Sequence, residues 1–315
     1  MVCDGASLFL FLKDWAAAAC KSTVKHPYLD GESIFPQYAP FPAEASILNI
    51  YASFAKEGKH ITKRIVFKES AIANLKAKAR LNNINNPTRV EVVTAILSKR
   101  LMACFKNKTG INKPLGITHA VNLRRKGEPP LRINKPLGIT HAVNLRRKGE
   151  PPLPECLVGN CVSIAGAVFT AEEELNELVT GLREAIRKVG NDFLKKIKSK
   201  EDGFCEYYDA MKEIGDLFTT PESDSAVELA GFSSWCNFGA YDIEFGWGKP
   251  IWAGCAVPYV EDSDNPHFSV IILMDTRTYK GVEAWVSMNE DDLDFLEKDE
   301  ELLQYVTVDP SPIYN

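Results

Sequence analysis

Two spacings of apolar positions run along this chain, one of three to four residues and one of two, and they predict helices and strands respectively. Gly5 to Cys20 reads as a buried helix with Leu8, Leu12, Trp15 and Ala16 on one face. Residues 27–48, rich in proline and aromatic side chains, read as a long connection. "RIVFK" is a short strand. "TRVEVVTAILSKRLMACF" is a helix, with Pro87 before it and Thr88 and Glu91 spaced as a capping box. "GITHAVNLR" and "VSIAGAVF" alternate as strands. "TAEEELNELVTGLREAIRKVGNDFLKKI" reads as one long amphipathic helix, started by Thr170 and Glu173. "VELAGFSSW", "SVIILMD" and "GVEAWVSM" are later strands, the last two joined by a turn through Lys280 and Gly281. "NEDDLDFLEKDEELLQYV" reads as a closing acidic helix. Helices and strands mix without strict β-α-β spacing, so the expected class is α/β with a mixed sheet.

One string interrupts this pattern by occurring twice. "INKPLGITHAVNLRRKGEPPL" fills Ile111–Leu131 and again, letter for letter, Ile133–Leu153. Repeat architectures stack several diverged units, each a supersecondary element. Two identical copies instead read as a tandem duplication of 22 residues, within 111–153, of which the fold needs one. The other can loop out, because closure entropy grows by only about 0.6 kcal/mol per doubling of loop length.

Composition narrows the function. The 315 residues are 45% hydrophobic and 25% charged, a globular balance. A net charge of −5 gives nucleic-acid binding no electrostatic support. The eight cysteines are scattered without a C-x-x-C, which suits reduced thiols in a cytoplasmic protein and no metal site. "LFLFL" near the start lacks a basic segment before it and is interrupted by Lys13-Asp14, so it is not read as a secretory signal. No apolar run reaches the ~18 residues of a spanning helix, and no membrane partner is expected.

Three strings carry candidate chemistry. Asp4-Gly5-Ala6-Ser7 precedes the first helix, where an Asp-Gly pair also serves as an ordinary turn and cap. "DIEFGWGKP", Asp242 to Pro250, sets two glycines around a tryptophan, which permits tight backbone and close approach of a ligand or an aromatic-anchored turn. "AVNLRR" followed by "GEPPLPECLVGNC" places Arg146 at a strand end, either paired with a buried carboxylate or solvated.

In this order the strings resemble the BAHD acyl-CoA-dependent acyltransferases of plants. "CDGASLFLFLKDWA" is similar to the D-G end of the family's H-x-x-x-D-G motif and its following helix. "NLR" and "GNC" stand between, "EFGWGKP" is similar to the D-F-G-W-G motif, and "GVEAWVSMNEDDLDFLE" to the C-terminal hairpin and helix. "SSWCNF" resembles the vinorine-synthase-like branch, which acylates alkaloid and terpenoid alcohols.

The resemblance implies a two-lobed fold with mixed sheets, the first lobe largely missing. Residues 1–41 and 241–267 would belong to that first lobe, and 52–240 and 268–315 to the second. It implies transfer of an acyl group, expected to be acetyl, from acyl-CoA to a hydroxyl of a specialised metabolite, with no permanently bound cofactor and a monomeric complete enzyme. A histidine base would deprotonate the alcohol. The Trp247 indole N–H would donate to the oxyanion, and Asp4 and Gly5 would organise the catalytic loop. Glu244, Phe245, Gly246 and Gly248 would form the second motif, with Glu244 paired to Arg146, or to Arg124 if the first repeat copy fills the strand slot. The motif histidine would lie four residues before Asp4, ahead of Met1, so the chain as written is expected to be inactive. The alternative is a binding or regulatory remnant without catalysis. "HPYLDG", His26 to Gly31, matches the motif as a string but stands in a proline-rich connection with no apolar helix after it. His119 and His141 are the same strand residue in the two repeat copies, His60 and His267 have no motif around them, and all four read as ordinary.

Overall fold

The computed structural model describes residues 3–35, 58–80, 84–109, 137–169, 173–199, 203–218, 228–255 and 268–311. The first repeat copy with His119 and Arg124, and also Thr170 and His267, lie outside the described residues.

Helix α1 spans Gly5–Ala19 and strand β1 His60–Phe67. Helices α2 (Glu69–Arg80) and α3 (Arg89–Thr109) follow, then strands β2 (Leu137–Asn144) and β3 (Val162–Phe169). Helices α4 (Leu175–Lys188), α5 (Asn191–Ile197) and α6 (Gly203–Phe218) lead to strands β4 (Glu228–Ser234), β5 (Ser269–Asp275) and β6 (Val282–Asn289). Helices α7 (Glu290–Lys298) and α8 (Glu300–Leu303) and strand β7 (Val306–Val308) close the order.

The strands form one mixed sheet in the order β3-β2-β4-β5-β6-β1-β7. β2–β4 and β4–β5 run parallel, and the remaining neighbours antiparallel. The second repeat copy supplies β2, so it fills the sheet position for which the two copies were expected to compete.

The sheet is buried on both faces, which the alternation along its strands makes explicit. Ile271 and Leu273 of β5, with Val282, Ala284, Val286 and Met288 of β6, join the main core under α2, α3, α4 and α7. Ile272 and Met274 point the other way and pack against Phe9 of α1 and Cys255. A strand covered on both faces reads as a continuous apolar run, as "VIILM" does. Polar side chains intrude on the second face. Arg64 of β1 and Glu283 of β6 are buried there, beside the register neighbours Val66 and Trp285.

Several boundaries differ from the periodic reading. The long helix predicted over 170–197 breaks at Val189-Gly190, where Gly190 caps α5 and a Cβ would lie 2.9 Å from the Arg187 carbonyl. The capping box of α4 is Glu174 with Glu177, whose carboxylate accepts from the Glu174 N–H at 2.7 Å. The capping box of Thr88 and Glu91 forms, with both bonds made at 2.7 and 3.1 Å. The acidic C-terminal helix splits at Asp299, which caps α8 and is held by Arg100 at 2.6 Å, and the chain then leaves as β7 to pair with β1. In α1 the buried residues are Ser7, Phe9 and Ala16, whereas Leu8, Phe11 and Trp15 are exposed. The anchor at Asp4 sets that rotation of the helix.

Candidate active site

Asp4 ends the extended entry to α1 and caps it, accepting from the Ser7 N–H at 2.8 Å. Its second oxygen accepts from the Cys161 N–H at 2.8 Å, which ties the helix to the start of β3. Arg146 completes the arrangement. It leaves β2 in a short 3₁₀ turn, Leu145–Arg147, capped by Asn144. Its Nη1 and Nη2 meet Asp4 Oδ2 at 2.7 Å and Oδ1 at 3.2 Å, a bidentate contact. Nη2 is shared further with Ser7 Oγ at 2.9 Å and the Leu157 carbonyl at 2.8 Å, Nε donates to the same carbonyl at 3.1 Å, and Nη1 also donates to Asn144 Oδ1 at 3.3 Å. Both residues are 4% exposed. Two buried charges in low dielectric are tolerated because every lone pair and proton is placed.

The arginine's partner is therefore Asp4, and the expected pairing with Glu244 is corrected. Glu244 is exposed, and its backbone carbonyl accepts from Cys20 Sγ at 3.4 Å. Asp4 reaches Arg146 first because the α1 cap sits directly over the end of β2, and a guanidinium already bonded on both edges has no site for a second acid.

Gly5 has a packing reason. A Cβ there would stand 2.9 Å from Trp235 Nε1 and 3.3 Å from the Phe238 ring. Those two rings hold α1 from below, with Phe9 edge-on to Trp235 at 5.7 Å and tilted on Phe238 at 5.6 Å. The second motif docks on the other end of α1. Phe245 meets Trp15 edge-on at 5.3 Å, and Trp247 stacks on Phe245 at 5.5 Å. Asp242 and Lys249 clip the loop shut at 2.8 Å, and this bond holds the Asp242 carboxyl below its usual value. Gly246 and Gly248 have φ of 99° and 109°, a region L side chains avoid, so their need is backbone conformation; a Cβ on either would meet nothing closer than 3.6 Å.

Between α1 and this loop lies a cleft of about 860 Å³. Leu8, Phe9 and Leu12 form one wall, Phe245, Trp247 and Gly248 another, and Met274 of β5 contributes from the sheet. Trp247 stands at the rim, 83% exposed. No histidine lines the cleft among the described residues. His26 is exposed in irregular chain, and His60 is buried with Nδ1 3.1 Å from the Gly58 carbonyl. His141 is buried in β2 against Phe232, and burial lowers its pKa to about 4.

A model of the Transferase family, the BAHD acyltransferases, matches residues 1–135 and 132–303. The chain belongs to this family. Two relatives in it are an epi-neemfruitin B 7-O-acetyltransferase of Melia azedarach, 42% identical across 98% of this chain, and a limonoid 7-O-acetyltransferase of Citrus sinensis, 41% identical across 99%. The chain spans 63% of the length of each. Among solved BAHD structures, vinorine synthase superposes with a TM-score of 0.67 at 27% identity, covering 97% of this chain and 60% of its own. The helix that follows Asp4-Gly5 and the loop of the second motif thus face one cleft. Trp235 of the string "SSWCNF" lines the cleft as well, with Phe238 packed against Phe9, whereas Met274 carries no motif signal and reaches the site only through β5.

Proposed function

We propose that this chain forms part of an O-acyltransferase centre that moves an acetyl group from acetyl-CoA to a hydroxyl of a bulky terpenoid alcohol. The observation that carries the proposal is the cleft of about 860 Å³ between helix α1, whose entry the Asp4–Arg146 lock fixes, and the 242–250 loop. The similarity to two limonoid 7-O-acetyltransferases supports the acceptor class. The wall of Leu8, Phe9, Leu12 and Phe245 suits a rigid apolar skeleton, whose burial is favourable at roughly 25 cal/mol per Å².

In this reading Asp4 and Arg146 are positioning residues. They fix the entry to α1 and the Gly159–Cys161 strand start relative to each other, and touch no substrate. The alcohol proton goes to a base as the hydroxyl oxygen attacks the thioester carbonyl, and the thiolate of CoA leaves. The Trp247 indole N–H is our candidate donor to the developing oxyanion. At 83% exposure it acts only once bound substrate covers the rim and excludes water. We assign residues 1–41 and 241–267 to the lobe that carries both motifs, and 52–240 with 268–315 to the other.

The test combines two readouts on the purified chain: acetylated product from acetyl-CoA and a 7-hydroxylimonoid by mass spectrometry, and saturation-transfer NMR of the alcohol bound at the cleft. Product, or alcohol binding lost in a Phe9→Asp variant, supports the assignment. Absence of product together with absence of alcohol binding overturns it.

A further inference from the structure

A second hollow lies over strands β6 and β1, on the same face of the sheet as the cleft but behind its wall. It encloses about 320 Å³, and Ile251 and Trp252 separate it from the cleft, lining both. Glu283 lines it as a buried acid. Strand alternation explains the position: Val282 and Ala284 face the main core, so Glu283 faces the opposite side.

Glu283 is 5% exposed and incompletely satisfied. Oε1 accepts from the Tyr241 hydroxyl at a long 3.4 Å. Oε2 lies 3.5 Å from Arg64 Nη1, within ion-pair reach, but accepts no hydrogen bond. Arg64 is turned elsewhere, donating Nη2 to the Pro310 carbonyl and lying 5.8 Å from the centre of the Trp252 ring. Burial outweighs Arg64 and holds the Glu283 carboxyl above its ordinary value. A buried carboxylate oxygen without a donor is costly, so a ligand that brings one is favoured. The rim supplies the opposite chemistry. Lys68 and Arg277 are exposed and have no ion pair among the described residues, while Glu69, the other rim acid, is engaged by Lys280 at 3.3 Å. The hydroxyls of Thr276 and Thr278 stand beside them.

We propose that this hollow is a binding site, separate from the acyl cleft, for a small organic carboxylate that also carries a hydroxyl or ammonium donor. The donor group meets Glu283 Oε2 at the bottom, and the carboxylate meets Lys68 and Arg277 at the rim. Trp252, stacked on Trp285 at 5.9 Å, supplies a fixed flat wall between this site and the cleft.

The probes are L-malate and L-aspartate, with succinate as the dicarboxylate lacking the donor, titrated into the full chain by calorimetry. Either of the first two binding at least about 10-fold tighter than succinate, the worth of one charge-assisted hydrogen bond, is the expected result. The Lys68→Ala/Arg277→Ala double variant alters only exposed side chains and is expected to weaken binding at least 10-fold. Glu283→Gln should erase the preference over succinate; if that variant does not fold, the rim variant and the succinate comparison decide. No binding of either probe at about 10 mM, succinate binding equally well, or an unaffected rim variant overturns the proposal. Displacement of L-malate by acetyl-CoA or by a terpenoid alcohol also overturns it, because the hollow would then be part of the acyl cleft. Failure here leaves the acyltransferase assignment standing, since that rests on product and on alcohol binding at Phe9.

Discussion

Replacing Asp4 by asparagine changes one atom of a buried carboxylate whose every lone pair is bonded. Asp4 accepts four hydrogen bonds, two from Arg146, one from the Ser7 amide and one from the Cys161 amide, and offers no donor. Asparagine keeps the shape but turns one oxygen into an NH₂. Whichever way the amide is set, that NH₂ faces two donors. Facing Arg146 Nη1 and the Cys161 N–H, it orphans both; facing Ser7 and Nη2, it removes the helix cap. The arginine loses its counter-charge while remaining 4% exposed. Removal of one partner from a buried pair costs about 3–5 kcal/mol. An unfolding entropy of roughly 2.1 cal/mol/K per residue converts 4 kcal/mol into about 6 °C for a chain of this size. Denaturant titration and calorimetry of D4N, of Arg146→Met and of the D4N/R146M pair measure it. The double variant should be less destabilised than the sum of the singles by about 2 kcal/mol or more, because the second change removes the orphaned charge. Hydrogen exchange should show lost protection in the first turns of α1 in D4N. A D4N stability within about 1 kcal/mol of the unmodified chain would refute the reasoning, and so would additive single changes.

Glu244→Ala should change stability by no more than about 0.5 kcal/mol, because the carboxylate is exposed and does not reach Arg146; a loss above 2 kcal/mol in the same denaturant titration would restore the Glu244–Arg146 pairing. Gly5→Ala should cost about 1–3 kcal/mol through the 2.9 Å approach to Trp235, although alanine is the better helix former; a stabilised variant would show that the indole can move aside. His141 should make stability pH-dependent. Its pKa falls from 6.5 in the unfolded chain to about 4 in the fold, so between those values unfolding takes up a proton and stability drops as pH falls, by about 3 kcal/mol across the window. His141→Gln should flatten the slope between pH 7 and 4 relative to the unmodified chain, and parallel curves for the two would exclude His141 as the source.

What could be read from the sequence was whatever depends on neighbours along the chain. The short apolar runs at "VSIAGAVF", "SVIILMD" and "GVEAWVSM" became β3, β5 and β6, and the Thr88/Glu91 box opened α3, because strand-forming composition and helix capping act within a few residues. Both motifs of the cleft were legible for the same reason, each being a short contiguous string. α2 and α6 gave no comparable signal, and the breaks at Gly190 and Asp299 fell inside runs whose apolar spacing continued across them. Pairing across the fold belongs to tertiary structure. The pattern left Arg146 open between a buried acid and solvent; its partner lies 142 positions away and was decided by where the α1 cap meets the end of β2. The same packing turned Leu8 and Trp15 outward and Phe9 inward, since on a helix apolar nearly all round the periodicity selects no face. It also buried Glu283 on the second face of β6. The alternation of that strand could indicate a side, but only the closing of Trp252, Tyr241 and Arg64 over it created a buried acid with an unfilled oxygen.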